Sequence, residues 1–148
     1  QAYIDGAWVG TPRMPVVDAS VYVAIAHEAD RFHGRCLGWF EESLRTGLQL
    51  LAPGLLVVEV AAAVRRLTGD RRLADRVVSD LLETGAIELL PLTMDRSRRA
   101  ARAAASAGVR GADAVYLALA EELDETLVTL DRQQLRRGGV VARVERPS

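Results

Sequence analysis

Four short apolar runs, PVVD (15–18), LQLLAP (48–53), AIELLPL (86–92) and TLVTLD (126–131), are separated from one another by longer segments with helical spacing. That alternation constrains the fold more than any other feature, because strands that take turns with helices assemble as a parallel sheet covered by helices. The helical segments are expected over 19–28, 31–47, 55–69, 71–85, 94–108, 110–122 and 132–137, with a last strand in VVARVE (140–145). Gly47 sits where a helix C-terminus favours glycine, and Thr68-Gly69-Asp70 marks a break between two helices. The expected architecture is α/β: a single three-layer domain over 14–148, a mostly parallel central sheet flanked by helices. Residues 1–13 differ in composition from the rest of the chain and are expected to be an N-terminal extension or a vector-derived leader. A chain of 148 residues that is 49% hydrophobic is large and apolar enough to bury a real core in one unit.

The acids carry the functional signal. Asp18 closes the first strand and Asp131 the fourth, so both are expected at the carboxyl edge of the sheet, where open α/β sheets bind ligands. Asp113 heads the helix that feeds the fourth strand, which places its N-terminus over the same edge. As a helix-end aspartate it is either an N-cap or a ligand. Glu59 interrupts the otherwise apolar LLVVEVAAAV, and a buried carboxylate there needs compensation, either an ion pair such as one with Arg66 or a cation. Four carboxylates on one edge repel one another unless a cation neutralises them. Hard oxygen ligands in that number suit Mg²⁺ or Mn²⁺ better than zinc, and such a site supports hydrolysis of a phosphodiester.

The ordered set VVDAS, a glutamate inside the helix after strand two, RGADAVYLALA and LVTLDRQ resembles the PIN-domain ribonucleases, particularly the VapC-type toxins of toxin–antitoxin pairs. The resemblance runs from about Met14 to the C-terminus. It implies a PIN-like nuclease domain in which Asp18, Glu59, Asp113 and Asp131 form the acidic cluster, with Asp18 and Asp113 as direct metal ligands and Ser20 and Thr129 as supporting hydroxyls. It further implies Mg²⁺- or Mn²⁺-dependent cleavage of RNA, commonly tRNA or ribosomal RNA, a homodimer, and inhibition by a cognate VapB-like antitoxin. Arg110 and Arg132, each close in sequence to an acid of the set, are candidates to hold RNA phosphates. The clusters Arg65, Arg66, Arg71, Arg72 and Arg96, Arg98, Arg99, Arg102 extend that footprint or form solvated helix faces, the second reading being preferred for the latter cluster. A PIN nuclease of RNA processing without an antitoxin, and a catalytically silent PIN-like interaction module, are the alternatives.

Other classes are excluded by what the chain lacks. All 19 Lys and Arg positions are arginine, so receiver domains and haloacid-dehalogenase-like phosphatases, which need a lysine, do not fit. The net charge of −1 gives no bulk attraction to polyanions or membranes, and any such site must be local. A single cysteine excludes an internal disulfide and a cysteine zinc site and agrees with a cytoplasmic setting, and no apolar run is long enough to span a membrane. HEADRFH (27–33) lacks the histidine spacing of a helical metal motif, Trp39 and Phe40 are expected in the core or a dimer contact, and 5% aromatic content is too low for a base-stacking platform.

Overall fold

The computed structural model describes residues 13–148 in full and, before them, the backbone of two short antiparallel strands, β1 (Ala2–Ile4) and β2 (Ala7–Val9). The expected leader or extension over 1–13 otherwise lies outside the described residues. The remaining elements are β3 (Val16–Val17), α1 (Ala19–Ala26), α2 (His33–Arg45), β4 (Leu50–Pro53), α3 (Leu55–Thr68), α4 (Arg71–Thr84), β5 (Ile87–Leu90), α5 (Met94–Ala107), α6 (Gly111–Leu123), β6 (Thr126–Val128), α7 (Arg132–Arg137) and β7 (Arg143–Glu145).

The five strands from β3 onward form one parallel sheet in the order β5-β4-β3-β6-β7. Every residue of β3, β4 and β6 is buried, as strands covered on both faces must be, whereas the edge strands β5 and β7 present Glu88, Arg143 and Glu145 to solvent. The chain moves outward from β3 through β4 to β5 and then returns to place β6 on the other side of β3. Right-handed crossovers therefore put α1 to α4 on one face and α5 and α6 on the other. The reversal creates a switch point between β3 and β6, whose carboxyl ends lead into Asp18 and the Thr129–Asp131 turn.

Packing follows from the residue types. Tyr116, Leu117 and Leu119 of α6 are buried against the sheet, and each large apolar side chain removed from water contributes about 1.5–3 kcal/mol. The outer contact of α6 with α5 uses Ala100, Ala103, Ala114 and Ala118, small side chains that let the two helices approach closely. Side-chain caps from Asp18, Asp70, Thr93 and Asp131 begin α1, α4, α5 and α7. Among the described residues no helix is long and apolar enough to cross a membrane.

Two expectations are corrected. VVARVE does not form one strand: Gly138–Val140 is a 3-10 turn, and only Arg143–Glu145 joins the sheet. The turn passes close to the core at Gly138, where a Cβ would meet Leu117 Cδ2 at 2.7 Å and Val144 Cγ2 at 2.9 Å, so a glycine is what lets the chain turn there. Likewise, Asp131 does not close its strand. β6 ends at Val128, and Asp131 is the N-cap of α7.

Candidate active site

The four acids singled out from sequence line one cleft of about 350 Å³ at the switch point, together with Ser20, Arg66, Arg110 and Leu130. Asp18 arrives there because β3 ends one residue earlier, and it caps α1 by accepting the Ser20 N–H at 3.1 Å. Glu59 comes from the second turn of α3. Asp113 comes from the first turn of α6, which runs back along the sheet as the chain order predicts. Asp113 is not an N-cap, however. Arg110 occupies that position and Asp113 is the third helical residue, with no bond to the free N–H groups of its own helix end.

What holds the carboxylates is a buried polar network. Asp18 Oδ2 accepts from the Ser20 backbone, from the Ser20 hydroxyl and, at 3.0 Å, from the Thr129 hydroxyl. The Ser20 hydroxyl in turn accepts the Leu130 N–H, and the Thr129 hydroxyl accepts the Asp131 N–H at 2.9 Å. The two hydroxyls expected to support the acids thus tie α1 to the turn after β6.

The centre of the network is Gln134, which the sequence reading does not single out. It has no solvent-exposed surface, and its Nε2 donates to Asp18 Oδ1 at 3.3 Å and to Asp113 Oδ1 at 3.4 Å, while its Oε1 accepts from Thr129 at 2.6 Å. Reversing the amide would aim Oε1 at two carboxylates, so the network itself fixes its orientation. Thr129 has one proton for two acceptors, Asp18 and Gln134, and serves one at a time. The available signal was Asp131-x-x-Gln134, the spacing of a capping box. Here the glutamine side chain turns inward instead of back to the cap.

Charge explains the rest. Burial pushes the Glu59 carboxyl above its usual range, Tyr116 beside it holds it down, and the charges of Asp18 and Asp113 raise it further. Glu59 Oε1 and the Tyr116 hydroxyl are both buried, yet neither reaches a hydrogen bond of good geometry. The expected alternative of a Glu59–Arg66 pair does not form, although Arg66 lines the same cleft. Asp113 is also raised, first by burial and then by Asp131, with Arg110 opposing. The Arg110 guanidinium sits between two acids, with Nε 3.1 Å from Asp113 Oδ2 and a terminal nitrogen 3.6 Å from Asp131 Oδ2.

Other candidates fall elsewhere. Arg132 lines a neighbouring pocket and not the acid cleft. Arg96 and Arg99 pair with Glu122 and Asp95, which ties them to the protein, whereas Arg98 and Arg102 lie on the solvated helix face expected for that cluster. His33 Nδ1 faces the Ala24 carbonyl at 2.9 Å and Asp30 accepts the Phe32 N–H, so HEADRFH holds a turn together. Trp39 and Phe40 pack partly buried against the core.

The family model of the PIN domain matches residues 16–140, which is most of the chain and contains all four acids. The chain belongs to the PIN-domain family. PIN domains are generally nucleases and typically use a divalent metal. A search of curated proteins returns no significant sequence match. Among solved structures, this PIN domain is similar to FitAcB from Neisseria gonorrhoeae (TM-score 0.70, 16% identity, covering 90% of this chain and 98% of that one). It is similar to the sarcin–ricin-loop-cleaving toxin VapC20 of Mycobacterium tuberculosis (TM-score 0.67, 16% identity, 82% and 93% covered). A third likeness is to promoter-bound VapBC2 of Rickettsia felis (TM-score 0.68, 11% identity, 91% and 99% covered). The structural neighbours are thus toxins of toxin–antitoxin complexes, and at these identities the likeness is one of fold.

The donor set fits a hard divalent cation. Four carboxylates face one cleft, and one buried carboxylate oxygen, Glu59 Oε1, makes no well-formed hydrogen bond, with only the Tyr116 hydroxyl beside it. The fit is that of an open site. Among the described residues no three metal-ligating side chains converge closely enough to form a cage around an ion.

Proposed function

We propose that this PIN domain is a divalent-metal-dependent ribonuclease that hydrolyses RNA phosphodiester bonds, as the toxin of a VapBC-type pair. The observation that carries the proposal is the convergence of Asp18, Glu59, Asp113 and Asp131 on a single cleft with an unsatisfied buried carboxylate oxygen.

Asp18 and Asp113 are the residues to hold Mg²⁺ or Mn²⁺, because Gln134 and Thr129 fix their carboxylates in place before any ion arrives. When bound, the cation supplies Lewis-acid polarisation of the phosphodiester and activation of water. Glu59, held above the ordinary carboxylate range, is suited to accept a proton from the attacking water. Asp131, fixed as the α7 cap at the same cleft, is suited to orient that water. Arg110 is mostly exposed and is anchored only at its acidic partners, so it can turn one face to a phosphate oxygen and balance charge as the phosphorus is attacked.

Cleavage of total RNA by the purified protein in Mg²⁺ or Mn²⁺, compared with Asp18→Asn and Asp113→Asn, tests this assignment. Both variants are expected to remain folded and to lose cleavage together with growth arrest on induction. Full activity in both would refute the site. An antitoxin is supported by a small adjacent open reading frame encoding a DNA-binding N-terminus and a disordered tail, and by co-purification of its product with this chain.

A further inference from the structure

Next to the acid cleft, and sharing its Phe32 and Leu130 wall, lies a second pocket of about 190 Å³ lined by Arg31, Arg35, Arg132 and Arg146. The four arginines come from distant parts of the chain: the α1–α2 turn, the first turns of α2 and α7, and the segment after β7. None of the four forms an ion pair among the described residues, although nine pairs occur elsewhere. Arg31 is held by stacking its guanidinium 4.5 Å above the Phe32 ring.

Four like charges gathered in one concavity raise their mutual repulsion, and a chain with a net charge of −1 and 20 acidic residues had ample means to neutralise them. We infer that this pocket is a binding site for backbone phosphates of single-stranded RNA flanking the scissile bond. That arginine rather than lysine is used carries no weight, since the chain has no lysine. What favours RNA over an acidic protein segment is continuity. One strand laid across the shared Phe32–Leu130 wall passes from the acid cleft, where a cation would have to meet its phosphate, directly into the arginine pocket, where side chains attract a phosphate unaided. The pocket thereby sets which neighbouring phosphates are gripped when a bond lies over the acids. The inference rests on the ribonuclease reading for its geometry, and its test is separable from it.

The test is binding of a fluorescent single-stranded RNA oligonucleotide of mixed sequence, in chelator so that no cleavage intervenes, over a series of salt concentrations. The triple variant Arg31→Ala, Arg35→Ala, Arg146→Ala is expected to bind at least about tenfold more weakly, with a log–log salt slope shallower by roughly 2, since each phosphate contact on a single strand contributes about 0.7. A charge-matched control, Arg76→Ala, Arg98→Ala, Arg102→Ala, removes three exposed arginines of α4 and α5 that form no ion pair among the described residues and is expected to keep the wild-type slope. Melting curves establish that both variants are folded. Equal binding and equal slopes for the two triple variants would overturn the inference. So would an oligoglutamate peptide that binds through these arginines while RNA does not, which would make the pocket a protein-docking site. Arginine-dependent binding without cleavage in metal would leave the pocket standing and remove the nuclease reading. Cleavage indifferent to the triple change would do the reverse.

Discussion

Replacing Gln134 by methionine isolates what the buried amide contributes. The thioether preserves length and volume and leaves the backbone N–H that Asp131 caps at 2.9 Å, so α7 keeps its start. What disappears is the Nε2 bridge to Asp18 and Asp113, and the Oε1 acceptor for Thr129. Hydrogen bonds to charged acceptors contribute about 1.5–3 kcal/mol each, and at 3.3 and 3.4 Å these two belong at the low end. Together with the neutral bond from Thr129, worth about 1 kcal/mol, the expected loss is about 4 kcal/mol, or roughly 8–16 °C in Tm for a domain of this size. The assay is chemical denaturation in chelator, repeated in Mn²⁺. Because the loss includes uncompensated repulsion between two carboxylates, the ion should restore more stability to the variant than it adds to wild type. A double-mutant cycle with Asp18→Asn should show coupling of about 1 kcal/mol or more. If Gln134→Met matched wild type within about 0.5 kcal/mol in chelator, the amide would not be what restrains the two acids.

The same cleft and its surroundings lead to further outcomes. Glu59 and Asp113 have raised carboxyl pKa values in the fold, so the folded state holds their protons more tightly than the unfolded chain does. Their contribution is greatest in acid and is lost as pH rises through the folded values, so metal-free protein should lose stability over that window and divalent metal should stabilise it most above it. Glu59→Gln removes one of the two groups: denaturation in chelator should show a flatter pH profile and higher stability than wild type at neutral pH, while RNA cleavage is lost. Gly138→Ala forces a methyl into Leu117 and Val144 and is expected to cost about 1–3 kcal/mol in urea titrations, without altering metal binding. Arg110→Ala should tighten Mn²⁺ binding measured calorimetrically, because a positive charge leaves the vicinity of Asp113 and Asp131, yet weaken RNA binding.

The elements were legible because their signals are local. Strands such as LLAP are wholly apolar, helix starts carry Asp70 or Thr93, and the order of elements led to the switch point that collects Asp18, Glu59 and Asp113. Where local pattern and distant packing disagreed, the sequence misled. VVARVE has strand composition, but its first half lies in a turn that packs so close to Leu117 and Val144 at Gly138 that only glycine fits. Asp113 has the look of a cap, but its position within α6 turns its carboxylate toward Gln134 and Arg110. Gln134 itself escaped notice because every partner of its amide that matters lies in another element, and no short motif records such contacts. The arginines at 31, 35 and 146 are likewise unremarkable singly and meaningful only once the fold gathers them.

The bonds that order Asp18 reach far along the chain: Thr129 follows it by 111 residues and Gln134 by 116. During synthesis from the N-terminus, β3, β4 and β5 can emerge while the central strand still lacks its neighbour β6, and Asp18 then lacks both Thr129 and Gln134. A chain interrupted anywhere before the α7 turn presents separate carboxylates in place of a cleft. The closure of so long a loop is also slow relative to local helix formation. Assembly of the acidic centre therefore waits until α7 has been made, and a copy that stops before α7 lacks it.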